Sequence, residues 1–132
     1  MEGRHLDQFT KWILDKASSE VLIVNPYVKE CDLSQQLIES KQRGLGVILL
    51  TQRPKYQDQR CHIKLKDNGV EVNYDPDVHA KLVIVDMQVA IVSSMNFYSE
   101  SSAGKTWEAG MVSVDNRVIQ TIKKSVLKEL KI

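Results

Sequence analysis

Two short runs in the second half of the chain carry side chains suited to phosphate chemistry. His79 and Lys81 stand two residues apart, and so do Ser94 and Asn96. In an extended strand, residues two apart leave from the same face, so each pair is expected to present its groups together. A hairpin turning about residues 86–88 would bring the two pairs side by side. An imidazole, an ammonium, a hydroxyl and a carboxamide around one small volume suit an anionic phosphoryl centre. One group can act as nucleophile, and three donors face the equatorial oxygens that carry the transition-state charge. Asp86 lies seven positions after His79, so the same alternation sends it to the opposite face. It is read as a structural residue at the strand end. Glu108, expected early in the following strand, is the better partner for His79. A carboxylate on one ring nitrogen sets the tautomer and leaves the other nitrogen free to attack.

The elements that must position these groups can be read from apolar spacing. Leu6, Phe9, Trp12, Ile13 and Ala17 recur at helical intervals over 6–18, and Ser18-Ser19 ends the stretch. Val21 to Val24 is a short apolar run stopped by Asn25-Pro26, the mark of a buried strand. A second helix opens at Asp32-Leu33-Ser34 and stops at Gly44, and Gly46 to Leu50 is a second buried strand. A polar, partly basic loop is expected over 51–61, then a third helix ending at Asn68-Gly69, then a strand over Val70–Tyr74. Strands over 79–85 and 89–94 follow, a Ser-rich rim loop over 97–106, a strand over about 108–114, and an amphipathic helix from Val118 to Leu130. Strands alternating with helices imply an α/β fold, a mixed β-sheet sandwiched between helices. The continuous Leu82–Val85 run fits a central strand covered on both sides. No internal repeat or linker interrupts the 132 residues, so one domain is expected over 1–132.

Composition narrows the function classes. Hydrophobic residues make up 42% of the chain, enough for a core without staples. Lys plus Arg number 18 against 17 Asp plus Glu, a net charge of +1. That balance speaks against a strongly basic duplex-binding module, so any nucleic-acid contact must come from a local cluster. Arg53, Lys55, Tyr56 and Arg60 form one, combining cations with an aromatic in a way that suits single-stranded nucleic acid, although by itself such a stretch is slightly more often a solvated loop. Cys31 and Cys61 have no C-x-x-C spacing and no His set, so free thiols and no structural zinc are expected. With no apolar run of spanning length and no secretory h-region, a cytoplasmic protein without stable membrane association is expected.

The run His79-x-Lys81-x4-Asp86-x6-Ser93-Ser94-x-Asn96 resembles the His-x-Lys-x4-Asp-x6-Gly-Ser-x-Asn signature of the phospholipase D superfamily, matching five of its six fixed positions. Ser93 stands where the family has Gly. Trp107-Glu108-Ala109-Gly110 resembles the later Glu-containing strand of that family, and the surrounding pattern of elements also fits. The resemblance implies a two-step displacement through a phosphohistidine on His79, with no metal and no cofactor. Lys81, Asn96 and Ser94 would hold the phosphate, Glu108 would orient His79, and a second histidine would serve as acid and then base. Family enzymes have two such motifs and this chain has one. Like the small single-motif members, it would pair two subunits about a two-fold axis, each giving one His79 to a shared site.

Each residue also has a plainer reading. A lone His79 would be an ordinary core or surface histidine, but Lys81 in an apolar strand is costly unless it meets a partner or a site. Ser94 could merely end a strand and Asn96 merely make a turn; the set carries the argument. His5 and His62 lack such company and are expected at the surface. Trp12 and the apolar residues of the last helix are expected to pack, and Trp107 to be core or pocket wall. Gly104-Lys105-Thr106 ends like a nucleotide-binding loop, but Ser99 stands where the first glycine should be, which excludes it. The leading expectation is a metal-independent nuclease working as a homodimer. A non-catalytic dimerisation or ligand-sensing module ranks second, and lipid hydrolysis third, since no exposed amphipathic segment is evident.

Overall fold

The computed structural model describes residues 1–97 and 106–130. Most of the expected rim loop, 98–105, therefore lies outside the described residues. The architecture is α/β, a six-stranded mixed sheet ordered β3-β2-β1-β4-β5-β6 with helices on both faces. The strands are β1 (Glu20–Val24), β2 (Gly46–Thr51), β3 (Glu71–Tyr74), β4 (Leu82–Val85), β5 (Val89–Ser93) and β6 (Gly110–Ser113). The helices are α1 (Gly3–Lys16), α2 (Asp32–Gln42), α3 (Gln59–Asp67) and α4 (Asn116–Glu129).

The sheet has two halves that meet at β1. β1, β2 and β3 run parallel, joined by α2 and α3, whereas β4 pairs antiparallel with β1 and starts a meander through β5 and β6. Parallel crossovers need a helix, while the antiparallel arms need only tight turns. β1 and β4, buried along almost their whole length, are the continuous apolar runs of the sequence. One face packs Ile23, Leu49, Val83 and Ile91 under Leu6 and Leu14 of α1, Leu37 of α2 and Leu65 of α3. The other packs Leu22, Leu82, Ile84 and Ala90 under Ile119 and Val126 of α4.

Asp86 and Met87 close the β4–β5 hairpin with φ of 54° and 55°, both left-handed. A two-residue turn of this hand follows the twist of the strands. The Asp86 carboxylate accepts from the backbone N–H groups of Ser18, Ser19 and Glu20 at 2.8–2.9 Å, and from both serine hydroxyls at 3.0–3.1 Å. Burial alone would push its pKa up, but the donors of Glu20, Ser18 and Ser19 outweigh that and hold it down at about 2.

Several expectations are corrected. Trp12 is 54% exposed, because α1 buries the stripe Leu6, Thr10, Leu14 and leaves Trp12 outside it; its ring lies 6.0 Å from that of Phe9. His62 is only 2% exposed, on the inner face of α3 beside Cys61 and Leu65. Val118 is exposed on α4, where Ile119 and Val126 are buried. The polar stretch 51–61 is partly helical, with a short turn over Tyr56–Asp58 leading into α3. Trp107 is exposed, not a core residue. Both cysteines are free thiols, and burial pushes the Cys61 thiol up to about 11. Among the described residues, no helix is long and apolar enough to cross a membrane.

Candidate active site

The mixed topology collects one end of every strand. The carboxyl ends of β1, β2 and β3, the start of β4, the end of β5 and the start of β6 all lie on the same edge of the sheet. His79, Lys81, Ser94, Asn96 and Glu108 belong to the segments at that edge. None of them lies within a strand. β4 begins at Leu82, so His79 and Lys81 sit in the segment leading into it. β5 ends at Ser93, and Glu108 precedes β6. The alternation expected to align His79 with Lys81 therefore does not extend to them. A bond from Ser93 N–H to the Lys81 carbonyl, 3.0 Å, prolongs the ladder by one residue and anchors Lys81 opposite Ser93, the residue before Ser94.

Ser94 and Glu108 are the most tightly joined members of the set. Ser94 Oγ donates to Glu108 Oε2 at 2.5 Å and accepts from Ala109 N–H at 3.1 Å. Ser94 N–H donates to the Ala109 carbonyl at 3.0 Å. The Thr106 hydroxyl donates to Glu108 Oε1 at 3.1 Å. His79 is exposed, and its carbonyl accepts a long 3.4 Å bond from Lys81 Nζ. Asn96 is 8% exposed, in a segment held by Asn25, whose side-chain amide donates to the Met95 carbonyl at 3.0 Å.

Ser93 uses its side chain locally. Its Oγ accepts from Met95 N–H at 3.1 Å and shapes the turn that presents Ser94 and Asn96. Across the ladder it faces Gly110. A Cβ on Gly110 would lie 2.8 Å from Ser93 Cβ and 3.0 Å from Leu6 Cδ1 and the Val92 carbonyl oxygen. The glycine that lets the two strands close here is on β6.

Two cavities flank the site. One of about 670 Å³ lies beside His79, walled by Val24, Leu50, Leu82, Ile122 and Val126. A second, of about 320 Å³, opens between the ends of β1 and β2 and is lined by Arg53 and Lys55 of the basic cluster. Tyr56, 88% exposed, and Arg60, on the first turn of α3, stand outside it. Supports such as Asn25, Lys29 and Gln52 carry no mark in the sequence beyond ending an apolar run or following one. Among the described residues, no group of three or more His, Cys, Asp or Glu is placed to hold a metal ion.

The model of the cardiolipin synthase PLD-like domain matches residues 11–129, nearly the whole chain. The chain belongs to the phospholipase D superfamily. Solved structures agree on the fold. Nuc of Salmonella typhimurium, described as a phospholipase D family member, superposes with a TM-score of 0.81 at 17% identity, covering 89% of this chain and 82% of that one. NucT of Helicobacter pylori gives 0.83 at 17% identity, covering 97% and 89%. TrmBL2, an archaeal chromatin protein described as showing a novel mode of DNA binding, gives 0.74 at 16% identity, covering 99% of this chain and 51% of that one. Among curated proteins none matches. As a phospholipase D superfamily member the chain falls in a group of phosphodiesterase-type enzymes.

Proposed function

We propose that this phospholipase D-like chain is a metal-independent phosphodiesterase whose substrate is nucleic acid, working in a site shared by two copies. The observation that carries the reading is the collection of His79, Lys81, Ser94, Asn96 and Glu108 on one sheet edge by two oppositely built halves of the sheet. A ring nitrogen of His79 attacks phosphorus, and the bond to the leaving oxygen breaks. The partner copy's histidine gives that oxygen its proton. The same histidine then takes a proton from water, which attacks phosphorus and releases His79. Lys81, Asn96 and Ser94 hold the equatorial oxygens. Glu108 orients His79; its bond to Ser94 keeps that carboxylate within the group. Asp86 fastens the far end of the hairpin to β1 and has no part in the chemistry. Within one chain, His62 does not serve as the second histidine, since its two ring nitrogens contact Tyr74 and Val28.

The test is cleavage of single- and double-stranded DNA, RNA and bis(4-nitrophenyl) phosphate in excess EDTA. Activity is expected to survive the chelator, and His79→Ala to lower kcat by at least about a thousandfold. Loss of wild-type activity in EDTA would overturn the metal-independent mechanism. A second reading, a non-catalytic module of a DNA-binding protein, is favoured by the likeness to TrmBL2 over 99% of the chain. It predicts nucleic-acid binding without cleavage of any substrate.

A further inference from the structure

The cavity between the ends of β1 and β2 is built as a binding site in its own right. Its volume, about 320 Å³, sits at the lower end of the ~300–1,000 Å³ of small-ligand pockets. Lys29, Arg53 and Lys55 line it against the single carboxylate of Asp58. His62 borders it from below. Its Nε2 lies 2.8 Å from the Val28 carbonyl, an acceptor only, so that nitrogen carries the proton and donates. For the neutral ring, which burial favours, Nδ1 then accepts from the Tyr74 hydroxyl at 3.1 Å. Tyr74 is thereby held with its ring under the Arg53 guanidinium, 4.7 Å away, and near the Lys66 ammonium, 4.6 Å away. Arg53 is thus oriented before any ligand arrives.

Two bonds join the cavity walls to the catalytic segments. The Gln52 side-chain amide donates to the carbonyl of Val78, the residue before His79, at 2.8 Å. Lys29 N–H donates to the carbonyl of Phe97, the residue after Asn96, also at 2.8 Å. The cavity is therefore tied by its lining to the residues that flank the candidate site, Val78 and Phe97.

We infer that this cavity receives the nucleotide adjacent to the scissile bond of a single-stranded polynucleotide, its phosphate held by Lys29, Arg53 and Lys55. The inference rests on the phosphodiesterase reading and adds a subsite to it. A polynucleotide carries a second phosphate at fixed reach from the first, whereas a small diester bears one and leaves the cavity empty. Tyr27, half-exposed at the rim, offers the adjoining base a face to stack on. A duplex would have to unpair for a single nucleotide to enter a cavity of this size, so single strands are favoured.

The experiment compares the wild type with Lys29→Ala/Arg53→Ala on a labelled single-stranded oligonucleotide and on bis(4-nitrophenyl) phosphate. The double variant is expected to lose at least tenfold more kcat/KM on the oligonucleotide than on the small diester. The slope of log affinity against log salt should shrink by about 0.7, for one phosphate no longer neutralised on a single strand. Equal losses on both substrates, or none on the oligonucleotide, would overturn the subsite. If the wild type cleaves neither, the phosphodiesterase reading falls on its own. Oligonucleotide binding by anisotropy, with both proteins carrying His79→Ala, then decides the cavity: a tenfold weakening in the Lys29→Ala/Arg53→Ala background supports it, and equal affinities refute it. A melting curve of the double variant confirms that it is folded, and Lys29→Arg/Arg53→Lys should restore part of the loss.

Discussion

At the scale of single residues, the far end of the β4–β5 hairpin depends on one carboxylate. Five donors from Ser18, Ser19 and Glu20 converge on Asp86, and removing it would leave three backbone N–H groups without their acceptor. Asp86→Ala is expected to cost about 2–4 kcal/mol, as for loss of charge-assisted bonds to several donors, read by urea unfolding at pH 7. With a folded-state pKa near 2, below the ordinary carboxylate value, the contribution is fully present above about pH 4. It fades as pH falls through 2. The stability gap between wild type and Asp86→Asn should therefore close between pH 4 and pH 2, and a gap that stays constant over that range would contradict the assignment.

Among the elements, β6 is positioned by an absence. Gly110 faces Ser93 across the ladder with no room for a methyl group. Gly110→Ala should cost about 1–3 kcal/mol by overpacking and shift Glu108, two residues earlier, from Ser94. Adding Ser93→Gly removes the closest clash but not those with Leu6 and Val92, so a double-mutant cycle should return a favourable coupling and a partial rescue. This crowding was not legible in the sequence, where Ser93 read only as a departure from a glycine pattern. What could be read were β1, β2 and β4, because strands buried on both faces leave continuous apolar runs. Their ends were less legible, since the backbone at 79–81 and 94–96 leaves the ladder to make its own turns. His62 was misplaced because its partners, Val28 and Tyr74, come from other elements. Trp12 was misplaced because periodicity names a stripe without saying which residue lies at its margin. The spacing of His79, Lys81, Ser94 and Asn96 was legible, while Lys29 and Gln52 acquire meaning only once the sheet places them beside that set.

For the whole molecule, the proposed two-histidine mechanism, with one His79 per chain, calls for two chains. Light scattering at tens of micromolar is expected to return twice the mass of one chain. If both histidines serve one phosphate, mixing His79→Ala protein into wild type under exchange should lower activity as the square of the wild-type fraction. A linear fall would mean that each chain acts alone.

The same topology has an electrical consequence. α1, α2 and α3 all start at the sheet edge that carries the candidate site and run away from it, as the right-handed alternation with β1, β2 and β3 requires. Their macrodipoles add, with the positive ends at that edge, each equivalent to roughly half an elementary charge and felt over about one turn. A chain whose formal charge is only +1 is in this way polarised. α4 runs the other way, its last turns beside His79, and offsets one of the three, so the net positive end that an approaching polyanion meets is still the site edge. Encounter should be faster than the net charge suggests and should slow as added salt screens the field.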